Sequence, residues 1–143
     1  MLGSVTISVK KPSGETYLIR SGNLVVDATR ERIANVILNG SVIGQIDEIR
    51  LGLVSGGATP AGNDDTTMEA ASPLSLPISN QLLENNGLTI KSISETITVS
   101  GTAVTFNELG LFQSGAMFSR VVFDTDQSIP IGSQYTVEWK ITF

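Results

Sequence analysis

The final stretch of the chain constrains it most. Tyr135, Val137, Trp139, Ile141 and Phe143 fall on one parity, and Thr136, Glu138, Lys140 and Thr142 fall on the other, without an exception. Side chains alternate between faces in a β-strand, so only a strand sorts this pattern into one apolar and one polar side. Such a strand is half-buried and needs both neighbours in a sheet and a core to face. On that face Trp139 and Tyr135 read as core residues, not as partner-facing surfaces.

The same logic applies at the other end. Val5, Ile7 and Val9 alternate with Ser4, Thr6 and Ser8; Lys11-Pro12-Ser13-Gly14 then reads as a turn into a second run, Glu15 to Arg20. Together they predict a hairpin, and Ser21-Gly22-Asn23 predicts a further turn into Leu24-Val25-Val26. One helix is expected, opened by Asp27 as N-cap and closed by Asn39-Gly40. Its apolar stripe is Ile33, Val36 and Ile37 with Leu38 beside them, and Arg30, Glu31 and Arg32 read as a solvated face.

Further strands follow. Ile46 to Val54 presents Ile49, Leu51 and Leu53 on its apolar parity. Leu88 to Val99 alternates Ile93, Glu95, Ile97 and Val99 against Ser92, Ser94, Thr96 and Thr98, with the isoleucine side expected inward. Between these strands lies the irregular stretch 55–65, after which Thr66 with Glu69 fits a capping box and predicts a short helical turn. The segment 72–78 carries Pro73 and Pro77, which rules out a central strand and leaves an edge or a connector. The last third reads as a meander: Val104 to Phe112, a tight Ser114-Gly115 turn, a run from Met117 to Phe123 apolar on both parities and therefore covered on both sides, then the final strand. The fold class expected is mainly β, an antiparallel β-sandwich of about eight strands with one α-helix, rather than a closed barrel.

Composition narrows the chemistry. The chain has 143 residues, no histidine and no cysteine, which excludes Ser-His-Asp and Cys-His nucleophiles, thiolate redox centres and the usual zinc sites. One domain is expected at this length. No apolar run approaches the ~18–20 residues that span a bilayer, and no basic-then-apolar leader opens the sequence, so a soluble chain made without Sec export and without a membrane partner is expected. A net charge of −5 argues against nucleic acid as a partner, because phosphate binding needs a basic stripe.

Each remaining candidate site fails on a residue it requires. Asn63-Asp64-Asp65 concentrates oxygen donors but lacks the alternating spacing of a calcium loop, and reads as an acidic turn. The glycines from Gly52 to Gly62 lack the lysine or helix opening that would hold a phosphate. Glu95, Glu108 and Glu138 sit on expected strands where a solvated face explains them better than a hydrolytic pair. Thirty Ser and Thr residues suit exposed sheet faces, or flat surfaces that dock on other subunits. The chain reads as a binding or assembly domain and not as an enzyme.

The C-terminal third carries a resemblance. Phe106-Asn107-Glu108-Leu109-Gly110-Leu111-Phe112, a Ser-Gly turn, Phe118-Ser119-Arg120-Val121-Val122-Phe123 and the closing Tyr135 to Phe143 resemble the ending of small tailed-bacteriophage virion proteins. There an E-(I/L/A)-G-L-F strand is followed by an R-x-x-F strand and a final (L/V)-x-W-x-I-T-(F/I/L) strand. Upstream, the helix with Ala28 to Ala34, the strand Ile46 to Gly52 and the loop from Gly57 to Thr66 follow the same order. The shared E-x-G-L-F element is also similar to the attachment domains of tail-collar fibre proteins. The likeness covers residues 22–143, with 1–21 as an added hairpin arm.

The resemblance implies no catalytic residue, no cofactor and no metal. It implies a virion subunit that assembles with other virion proteins and with copies of itself. The tail side is expected, as a fibre-attachment, baseplate or connector subunit, with capsid decoration on the head surface as the alternative and a host-glycan-binding module behind both. Leu109, Leu111, Phe112, Phe118, Val121 and Phe123 would hold the meander. Gly56, Thr59, Pro60, Asn63, Asp64, Pro73 and Pro77 would contact neighbouring subunits.

Overall fold

A computed structural model describes residues 2–40 and 45–143. In chain order it contains β1 (Leu2–Lys10), β2 (Thr16–Val25), α1 (Asp27–Asn39), β3 (Glu48–Gly52), β4 (Leu74–Glu84), β5 (Thr89–Ser94), β6 (Ile97–Thr98), β7 (Val104–Gln113), β8 (Ala116–Ile129) and β9 (Gln134–Thr142). The mainly β character with one helix is as the sequence predicts. The sandwich is not: the strands run in the order β1-β2-β8-β7-β3-β4-β5-β9, and β9 pairs back onto β1. The sheet closes into an eight-strand antiparallel barrel, with the short β6 continuing the β5 edge along β9.

Closure depends on pairings that local periodicity does not record. β1 and β9 pair from Leu2↔Thr142 to Lys10↔Gln134, so the N-terminal hairpin is a wall of the barrel and not an arm. β4 hands over from β3, through Leu74 to Pro77, to β5, from Ile78 onward. Pro77 stands at that handover, where Ile78 N–H turns to the Asp47 carbonyl. The expected meander is likewise replaced. β7 and β8 form a hairpin through Ser114 (φ 49) and Gly115 (φ 82), the left-handed pair of a tight turn, but β9 crosses to the opposite wall.

The interior is apolar where the alternation is clean. Val5, Ile7 and Val9 meet Tyr135, Val137, Trp139 and Ile141 across the β1–β9 pair, all buried. Phe143 lies beyond the strand and is 48% exposed, so the expected apolar face ends at Ile141. Burial pushes the Tyr135 phenol up to about 12.

Three local expectations change. Ser21-Gly22-Asn23 does not turn: it continues β2, paired with Val5, Ser4 and Gly3, and the Asn23 side chain fills the space that a Gly3 Cβ would occupy. In β5 it is Ser92 and Ser94 that are buried and Ile93 that is half-exposed. The ladder to β9 slips one residue between Ile93↔Glu138 and Ile97↔Tyr135, where Ser94 Oγ accepts the Val137 N–H at 2.9 Å, and one slip exchanges the faces. The helix begins at Asp27 with Val26 as its cap, because the Asp27 N–H is taken by the Asn63 carbonyl at 2.8 Å. It turns Ile33 to the core but leaves Ile37 and Leu38 exposed at 79% and 78%. Arg32 is not solvated: it bonds Gln113 Oε1 at 3.0 Å and the Met117 carbonyl at 2.9 Å, pinning α1 to the β7–β8 hairpin.

Candidate functional site

Alternation on β7 and β8 turns Leu109 and Val121 inward, and Glu108, Gly110 and Arg120 outward. Outward positions face water unless something covers them. Here residues 53–73 fold back over this wall, and the outward residues are buried: Glu108 is 0% exposed and Arg120 2%. The expectation that Glu108 sits on a solvated face is therefore overturned. Glu95 is exposed, and Glu138 shares Lys91 and Lys140 on the opposite wall.

Arg120 is the hub. Its Nε bonds Glu108 Oε1 at 2.8 Å, its Nη1 bonds Asp65 Oδ2 at 2.6 Å, and its Nη2 bonds Glu69 Oε1 at 3.1 Å. Glu108 also accepts the backbone N–H groups of Glu69 (2.8 Å) and Ala70 (3.0 Å), so its buried charge is met by three donors. Glu69 accepts the Thr59 N–H and Asp65 accepts the Gly62 N–H, which fixes the far side of the loop. Thr66 to Glu69 forms no helical turn, because Glu69 is committed to Thr59 and Arg120. Asn107, opposite a wide bulge in β8, closes the near side by exchanging two 2.9 Å hydrogen bonds with the Val54 backbone.

The electrostatics follow from the contacts. Burial opposes the Asp65 carboxylate, but the Gly62 N–H and the Arg120 guanidinium outweigh it and hold its pKa below the ordinary value. The Thr59 backbone and Arg120 lower that of Glu69. Burial also opposes the charge on Arg120, and Asp65 with Glu108 overcomes it, so the guanidinium stays charged. Below the loop, Phe112 packs with Met68, Met117 and Val26, and Arg50 lies 3.9 Å over the Phe112 ring. Gly110 admits this packing: a Cβ there would stand 2.5 Å from Phe112 and 2.9 Å from Met68 Sδ.

Of the residues expected to contact neighbours, Gly56, Thr59, Pro60, Asn63 and Asp64 come together on this loop. Gly56 and Pro60 line a cavity, while Thr59 and Asn63 are tied down through their backbones. Pro73 and Pro77 belong to the β4 side, three strands away from β2 and β8's shared edge. Nothing in the sequence singles out Asp65, Glu69, Glu108 and Arg120 as one network, although Glu108 and Arg120 belong to the E-L-G-L-F and R-x-x-F strands. Among the described residues no group of His, Cys, Asp or Glu has the arrangement of a metal site.

The cavity, of about 660 Å³, lies where β2 and β8 part. They pair only at Leu24↔Arg120 and Val25↔Ser119, whereas β2 pairs with β1 regularly from Thr16 to Asn23. β8 departs because it bulges: Phe106 faces Gln127 but Glu108 faces Val122, leaving Phe123 to Asp126 opposite Asn107 alone. Asn23 lines the cavity, its side-chain amide buried over Gly3 and without a hydrogen-bond partner among the described residues. No family model, curated protein or solved structure matches the chain.

Proposed function

We propose that this protein is a structural component of a tailed-bacteriophage virion, assembling by protein–protein contacts as a tail-side subunit of the fibre-attachment, baseplate or connector kind. The observation that carries the reading is where the motif residues lie. Glu108 and Arg120 of the E-L-G-L-F and R-x-x-F strands clamp the loop 53–73, Leu109 and Leu111 fill the barrel, and Trp139 and Ile141 of the closing strand are interior. The element that carries the resemblance thus builds a platform that displays a loop, which suits an assembly role.

The surface supports the same reading. Helix α1, the β4–β5 connection and the chain beyond β9 follow strand ends at the barrel end where β1 begins, and they expose Ile37, Leu38, Leu83, Leu88 and Phe143. Exposed large apolar side chains suit contact with other subunits. The glycan-binding reading loses its stacking groups, since Trp139 and Tyr135 are each 1% exposed. Quantitative mass spectrometry of purified particles against the major capsid protein tests the proposal. A ratio below about one in twenty is expected; a ratio near one to one or one to three would move the chain to the head surface, and its absence from particles would sink both structural roles.

A further inference from the structure

We infer that the seam between β2 and β8 is a binding site for an extended polypeptide segment of another protein, which adds to the free edge of β2 as an extra strand. The edge is long and regular. From Thr16 to Asn23 its ladder to β1 has no irregularity, while its other side has no strand partner among the described residues. Unpaired strand edges are templates for strand addition, and natural folds cover or distort the ones they do not use. β8 is distorted by its bulge; β2 is not.

The side chains fit the same occupant. Tyr17 and Ile19 on the inward parity of β2, and Phe123 on β8, pack on the core but remain half-exposed along the gap, so an incoming strand gains apolar contacts at alternate positions. On the outward parity Arg20 is exposed and makes no ion pair among the described residues, so an acidic residue on the segment meets a cation there. A second copy does not suit the seam. Its described strands are held in its own closed barrel, which leaves none of them free to add as a strand. The inference concerns the barrel wall alone and stands or falls apart from the virion reading.

The probe is a synthetic peptide with the sequence of Gly3 to Lys10 carrying Thr6→Glu, which sets a carboxylate opposite Arg20 when the peptide takes on the free edge the register that β1 holds on the other. A control peptide carries Thr6→Lys. Backbone amide resonances of the labelled protein are followed by NMR, together with hydrogen exchange. Expected are shifts confined to 16–23 and 121–123, new exchange protection along β2, and about fivefold tighter binding of the Glu peptide than the Lys peptide. Arg20→Glu, at an exposed position without an ion-pair partner among the described residues, should reverse that order with the fold intact.

Three outcomes overturn the inference: no shift at millimolar peptide, shifts that report displacement of β1 from β9, or seam-side amides of the free protein already as protected as the β1–β9 ladder.

Discussion

Two walls of the same barrel treat their outward residues in opposite ways. On the β1–β9–β5 wall, Ser4, Ser8, Thr136, Glu138 and Lys140 face outward and stay exposed or half-exposed, and the charged ones pair in water. On the β7–β8 wall the outward residues Glu108 and Arg120 are just as polar, yet they are buried beneath residues 53–73. Outward parity therefore does not mean solvated. The difference is made by a loop that must satisfy its own backbone donors once it lies on a sheet, and Glu108, Asp65 and Glu69 accept them.

The comparison breaks most visibly at Arg120. Arg120→Ala leaves Glu108 buried with no cation, and removing one partner of a buried pair costs about 3–5 kcal/mol. Lys140→Ala, on the exposed wall, should cost about 0–1 kcal/mol. Denaturant unfolding of the two variants measures both. A cost below about 1 kcal/mol for Arg120→Ala would mean that the loop is held by its apolar contacts and not by the charge network.

That same contrast explains what was legible in the residues. β1 and β9 are legible because their outer faces meet water, so the burial boundary appears as alternation; the run Met117 to Phe123, expected to be covered on both sides, is so from Met117 to Val121 but only half-buried at Val122 and Phe123. The closure of the barrel is not legible, since alternation says which face is buried and not which strand lies alongside. β5 was read in the wrong phase because a side-chain oxygen, Ser94 Oγ, takes a ladder position. The Arg120 network joins residues 12 to 55 positions apart in sequence, and at each of them a polar outward residue is equally consistent with exposure.

A smaller effect sharpens the comparison without removing any charge. Gly110→Ala places a Cβ against Phe112 and Met68 under the loop, and overpacking of this kind costs about 1–3 kcal/mol. Gly22→Ala on β2 meets nothing closer than the Gly3 carbonyl oxygen at 4.0 Å, and should be neutral or slightly stabilising. Thermal midpoints of the pair separate a packed outer layer from an open one. Equal midpoints would show that residues 53–73 ride loosely over β7.

The smallest difference is in the response to acid and salt. Asp65 and Glu69 have folded pKa values below their ordinary 3.8 and 4.5, so their stabilisation is complete above those values and is lost as pH falls through the lower, folded ones. Glu84 on the exposed wall is also lowered, by Lys91 first and then Lys140, so acid alone weakens both walls in the same direction. Salt separates them. At about 1 M, where screening acts over about 3 Å, the Glu84–Lys91–Glu138–Lys140 cluster is screened, whereas Arg120 and Glu108 are shielded from ions by the loop. Hydrogen exchange near pH 6 should therefore show salt loosening the β4–β5 hairpin while the amides of Glu69 and Ala70 stay protected. Exchange at Glu69 and Ala70 that rises with salt as fast as exchange on the hairpin would mean that water reaches Arg120, and that the two walls differ in geometry but not in dielectric.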